Sequence, residues 1–210
     1  RVMLNMTQAR GHHATGLAFR YNDGTIQYRK EAGEALSVSD EFVNTLLKNG
    51  SPSAVIGHCR HWTSGDPKNN ENNHPHHCST HRYGPGLMVH NGVVAGHKAL
   101  AERQGVEMKT ECDSEVLALM FAKFADDDEK LSDTGVLKKL AEESNSSSDT
   151  CLYLTQKAFG YHKSGMLWVG VRGGVLYYCS TEDPIKWIGC KERMSVPHSE
   201  CRMFFFDKDG

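Results

Sequence analysis

Met166-Leu-Trp-Val-Gly-Val171 and Val175-Leu-Tyr-Tyr-Cys-Ser180 are two strand-like runs joined by Arg172-Gly-Gly174. With Thr150–Thr155 before them and Arg202–Phe206 after them, they predict an antiparallel meander. Working outward, Leu17–Tyr21 and Thr25–Arg29 flank Asn22-Asp-Gly24. That is a hairpin signal, because Asp-Gly tolerates the positive φ of a tight turn. Ala54–His58 is a short apolar run that predicts a buried strand, and Leu87-Met-Val-His90 a further strand running into the turn signal Asn91-Gly92. Ser39 is placed to cap a helix with Phe42, Val43, Leu46 and Leu47 on one face and Gly50 at its end. His97–Gln104 and Asp113–Ala125 predict two more helices; the second has Val116, Leu117, Met120 and Phe124 at three- and four-residue spacing. Asp126–Lys130 and Glu143–Asp149 read as solvated connections. Residues 59–86 are almost all polar and predict a long loop, which in a compact domain is usually functional. The class expected is α+β: a single domain over residues 1–210, with antiparallel sheets and its helices grouped in the middle of the chain.

The 210 residues carry 24 Lys+Arg against 26 Asp+Glu, a formal net charge of −2. A balance so close to neutral gives no electrostatic footprint for nucleic acid or an anionic membrane surface. No apolar run approaches the roughly 18 residues of a membrane span, and no signal-peptide pattern opens the chain. The 7 cysteines are odd in number and irregular in spacing, which argues against a disulfide framework and for a reducing compartment. A cytoplasmic setting follows as the expectation.

Four clusters could carry chemistry, and each has an ordinary structural reading as well. Arg10-Gly-His-His-Ala-Thr-Gly16 is a glycine-bounded turn ahead of a strand. Gly57-His-Cys-Arg-His-Trp-Thr-Ser-Gly65 places Arg60 where a strand leaves the core. There its planar fork can grip a carboxylate with Thr63 beside it, or pair with an internal acid. His90-Asn-Gly-Val93 sets a side-chain amide next to a glycine N–H, the two donor types used in oxyanion holes, although Asn-Gly is often only a turn. Glu111-Cys-Asp-Ser-Glu115 puts Asp113 at a helix start, most simply as an N-cap. A metal site is a further reading of the histidines. His74, His76, His77, Cys78 and His81, with His58, Cys59 and His61 upstream, are zinc-ligand types, but they lack a regular ligand spacing. The expectation is a polar surface loop and no metal.

Taken in order, Gly57-His-Cys-Arg60, Thr63-Ser-Gly65-Asp-Pro67, Asn73-His-Pro-His76, Val89-His-Asn-Gly92 and Glu111-Cys-Asp113-Ser-Glu-Val116 resemble the glutaminase domain of class II glutamine amidotransferases, which are N-terminal-nucleophile hydrolases. Arg10-Gly11 to Gly16 looks like that family's Arg-Gly turn, and Tyr178-Cys-Ser-Thr-Glu-Asp183 looks like part of its second sheet. The resemblance covers nearly the whole chain. It implies a four-layer α/β/β/α sandwich of two antiparallel sheets and hydrolysis of the glutamine side-chain amide, without metal or organic cofactor.

By that resemblance Arg60 would bind the glutamine α-carboxylate with Thr63 on the same wall, and Asp113 would pair with the α-ammonium. Asn91 and Gly92 would form the oxyanion hole, and Arg10 and Gly11 would support the nucleophilic end of the chain. The family's nucleophile is an N-terminal cysteine, expected upstream of Arg1, so the first strand and nucleophile are expected to lie outside this sequence. His61, His13 and Ser64 depart from the family's usual Trp, acid and His. The expected partners are glutamine and an ammonia-accepting domain or subunit, with a homo-oligomer also in view. The competing expectation is an inactive relative serving as a structural or interaction module. Turns of this kind also resemble bacteriophage-encoded amidotransferase-like proteins, which would allow a virion assembly.

Overall fold

The structure is a computed structural model that describes residues 1–144 and 149–207. The hairpin predicted around Asp-Gly is present: β1 (Ala14–Tyr21) and β2 (Ile26–Ala32) pair antiparallel, and β3 (Pro52–Arg60) closes a three-stranded sheet in the order β2-β1-β3. β1 is buried along its full length, and its alternation sorts the two faces. Leu17, Phe19 and Tyr21 pack with Phe42 and Leu46 of α2 (Ala35–Leu47), while Ala18 faces the opposite way with Ile56.

The second sheet is built from β4 (His76–His77), β5 (Gly86–Asn91), β6 (Thr150–Thr155), β7 (Ala158–Lys163) and β11 (Glu200–Phe205), in the order β11-β7-β6-β5-β4. Its central strands β5, β6 and β7 also bury both faces. Leu87, Val89 and Leu154 meet Ala18 and Ile56 between the sheets. Met88, Cys151 and Tyr153 point the other way, into a cluster with Val116, Leu117, Met120 and Phe121 of α4 (Glu115–Asp127) and Val136, Leu137 and Leu140 of α5 (Asp133–Ser144). α3 (His97–Gln104) contributes Leu100 and Ala101 to the same cluster. With α1 (Val2–Thr7) and α2 outside the first sheet, the layers run helix, sheet, sheet, helix. This is the expected α+β class, a four-layer α/β/β/α sandwich of antiparallel sheets.

Several expectations change. The meander forms a third sheet, β10-β8-β9, from β8 (Trp168–Arg172), β9 (Val175–Cys179) and β10 (Glu192–Ser195), which leans on Leu152, Phe159 and Tyr161 of the large sheet. Helices are not confined to the middle, since α1 opens the chain and α6 (Glu182–Trp187) lies near its end. Ser39 is not a cap. It sits buried inside α2, where its hydroxyl donates to Asn5 Oδ1 at 2.7 Å and locks α1 onto α2. Ala54–His58 is only partly buried, with Ile56 its one fully covered position.

The charge cluster is not a plain solvated loop either: Asp126 lies in α4 and accepts from the His81 and Arg82 backbone N–H groups. Glu143 belongs to α5, and Asp149 is sealed in the interior; residues 145–148 of that expected connection lie outside the described residues. No helix among the described residues is long and apolar enough to cross a membrane.

Candidate active site

The long polar segment 59–86 is largely exposed over residues 61–71, as expected of a polar loop, but residues 72–76 are packed into the interior, where polar groups satisfy one another. Asn72 and Asn73 are both fully buried. Asn72 accepts from the Glu111 N–H at 2.9 Å and donates to Asp66 O, while Asn73 donates to Pro67 O at 2.7 Å. A buried amide with both ends paired avoids the penalty of an orphaned polar group and fixes the loop.

Arg60 ends β3, and its side chain is turned onto this loop. Nη1 donates to Asn73 Oδ1 at 2.7 Å, and Nη2 donates to the carbonyls of Ser64 and Gly65. Those three bonds leave Nε–H and one Nη1–H for a further acceptor. Ser64 then links the guanidinium to an acid. Its carbonyl accepts from Arg60 while its hydroxyl donates to Asp113 Oδ1 at 2.8 Å. Asp113 is not the N-cap of α4; that position is Ser114. The Asp113 carboxylate instead accepts from the Val94 N–H at 2.7 Å, so it ties the loop after β5 to the start of α4.

Asn91 and Gly92 follow directly from β5. A Cβ on Gly92 would fall within contact distance of Asp149 Oδ1 and 2.6 Å from His90 Nε2, so only glycine fits. Behind it the His90 ring is held from both sides, with Nδ1 2.9 Å from Ser114 Oγ and Nε2 3.1 Å from Asp149 Oδ1. Sequence reasoning passed over His90, Ser114 and Asp149; only the adjacency of His90 to Asn91-Gly92 pointed toward them.

One cleft of about 1580 Å³ brings the candidates together: Arg10, Arg60, Thr63, Asn91, Gly92 and Asp113 all line it. Gly11 lies beneath, where a side chain would strike the Arg60–His61 peptide. Gly16 is likewise pressed against the His74 carbonyl. The two glycines of the Arg-Gly turn therefore seat it against the strand end and loop that carry the pocket. Cys59, beside Arg60, is buried, donates to Leu4 O at 3.2 Å and has its pKa pushed up by burial, the environment of an unreactive thiol.

No protein-family model matches the chain. Sequence relatives are glutamine–fructose-6-phosphate aminotransferases. That of Aquifex aeolicus is 34% identical over 124 residues, covering 57% of this chain and 19% of that protein. That of Listeria innocua is 31% identical over 151 residues, covering 71% and 23%. In sequence and fold, the chain is a relative of the class II glutamine amidotransferases. The fold agrees across 98% of the chain with the glutamine phosphoribosylpyrophosphate amidotransferase of B. subtilis, at TM-score 0.71 and 18% identity. A structure described as the allosteric regulatory enzyme of purine biosynthesis agrees at TM-score 0.73 and 19% identity. The chain spans about a fifth of the length of the sequence relatives named above, and 46% and 45% of the two structures.

Proposed function

We propose that the cleft binds glutamine and hydrolyses its side-chain amide, delivering ammonia to an acceptor domain or subunit. The observation that carries this is the convergence of a cationic fork, a carboxylate and an amide–glycine donor pair on one cleft. Arg60 offers its free N–H groups to the α-carboxylate, with Thr63 beside it, and Asp113 faces the α-ammonium. Opposite charges at the two ends of the substrate backbone would fix its orientation and leave the side chain to reach Asn91 and Gly92.

In this reading the attacking thiol belongs to an N-terminal cysteine outside residues 1–210, supported by Arg10. The thiolate adds to the amide carbon, and the electron pair moves to oxygen, where the Asn91 side-chain N–H and the Gly92 N–H receive it. The α-amine of that same cysteine takes the thiol proton and passes it to the amide nitrogen, which leaves as ammonia. Water then releases glutamate from the thioester.

Calorimetric titration of glutamine into wild type and Arg60→Ala tests the pocket. Binding that disappears in the variant supports the assignment. Equal binding in both removes Arg60 from it, and no binding in the folded wild type favours a structural module instead.

A further inference from the structure

Among the described residues, one buried group of metal-ligand types has its ligand atoms close together. A ligand atom from each of His74, His76 and Cys112 stands within 4.8 Å of the others, and all three residues are buried. They come from separate parts of the chain: the two histidines flank Pro75, with His76 opening β4, and Cys112 precedes α4. His74 Nδ1 and His76 Nε2 are sealed from solvent without a hydrogen-bond partner. Buried polar atoms are nearly always paired, so two orphaned ring nitrogens in one place need an explanation. The glutaminase reading uses neither of them.

We infer that His74, His76 and Cys112 form a zinc-binding site on the wall of the cleft. Two imidazole nitrogens and a thiolate are a ligand set that Zn²⁺ takes readily, with a fourth position left for an oxygen ligand. His74 and Cys112 line the cleft, so that position is supplied from it. Zinc bonds of about 2.0–2.3 Å place tetrahedral ligand atoms roughly 3.3–3.7 Å apart, so rotamer adjustments of about 1 Å close the site.

The protonation states fit. Burial, reinforced by neighbouring cations and histidines, keeps both imidazoles well below their ordinary pKa, with lone pairs free at neutral pH. Burial raises the Cys112 thiol, with Arg60 opposing it, so binding replaces S–H by S–Zn and releases one proton. The nearest cations are turned away: Arg60 onto Asn73 Oδ1 and two carbonyls, and Lys30 Nζ onto the carbonyls of Asn73 and Pro75. This site stands independently of any glutaminase activity.

The test uses the full-length protein, stripped with chelator and titrated with Zn²⁺ and, in parallel, with Co²⁺. We expect one equivalent bound, a thiolate-to-cobalt charge-transfer band, and affinity about 100-fold weaker in Cys112→Ser, with the band lost. His12, His13 and His61 form a competing surface cluster, with ring centroids 4.3–6.3 Å apart. The double variant His13→Asn/His61→Asn should therefore retain the equivalent. A wild-type cobalt complex without the thiolate band overturns the proposal, whether or not Cys112→Ser folds. So does metal that follows His13 and His61, or a band that persists in a folded Cys112→Ser.

Discussion

His90 Nε2 lies 3.1 Å from Asp149 Oδ1, with both side chains closed off from solvent and Gly92 packed directly against the pair. The backbone turn that presents Asn91 and Gly92 to the cleft therefore rests on a buried polar contact rather than on apolar packing. Asp149→Ala strands the imidazole, and leaving one buried partner unpaired costs on the order of 3 kcal/mol. Asp149→Asn keeps an acceptor oxygen and should recover more than half of that. Urea unfolding reads both values, and an alanine variant within about 0.5 kcal/mol of wild type, the usual spread of neutral surface substitutions, contradicts the role given to the pair.

Asn73 holds Arg60 and Pro67 at once, from a fully buried amide. Asn73→Ala removes both bonds and should lower stability by about 1–3 kcal/mol. The same change frees the Arg60 guanidinium, so glutamine affinity should fall with it. Paired calorimetry and urea unfolding check this, and unchanged values in both would show that the loop is held elsewhere.

The aromatic stack in the helical layer sets a third test. Phe121 lies between Tyr83 and Tyr153, with ring centroids 5.8 and 4.4 Å away, and is fully buried. Phe121→Ala should cost about 3–5 kcal/mol, from lost transfer energy plus the cavity left behind. A loss below about 1 kcal/mol, a small fraction of that range, would mean that the layer collapses freely into the gap.

Acid should weaken the fold through buried histidines. Burial lowers His162 to about 4 and His58 to about 3. Between pH 6.5 and 4 the unfolded chain binds protons that the folded chain refuses, so stability falls as pH falls, by about 1.4 kcal/mol per pH unit for each such histidine. Unfolding curves at pH 7, 6 and 5 read the slope, and a flat profile over that range would contradict neutral buried rings. His162→Gln should make the profile shallower.

The parts legible in sequence are those where apolar period and glycine punctuation agree. α3 runs from His97 to Gln104 as predicted, between Gly96 and Gly105, both left-handed, and β6 spans Thr150–Thr155 as predicted. β7 is not legible in sequence because Ala-Phe-Gly-Tyr-His-Lys mixes glycine and charge into a short strand whose buried positions include His162 and Lys163. α5 is equally hidden, because only Val136, Leu137 and Leu140 mark its buried face and Gly135 interrupts it. α6 carries Pro184, which is tolerated in a first helical turn but reads as a breaker.

Arg60, Thr63, Asn91, Gly92 and Asp113, quoted from sequence as candidates, line one cleft, whereas the network behind them is not legible in the sequence. Asn72, Asn73, His74 and His76 look like solvated polar residues, and only three dimensions reveal that they are buried against one another.

Ammonia release from glutamine by the full-length protein tests the central claim most directly. We predict release matched one-to-one by glutamate, abolished in Arg60→Ala and slowed roughly 10²–10³-fold in Asn91→Ala, the usual cost of an oxyanion donor. Release at the wild-type rate from folded Arg60→Ala and Asn91→Ala proteins, or none from the folded wild type, would contradict it.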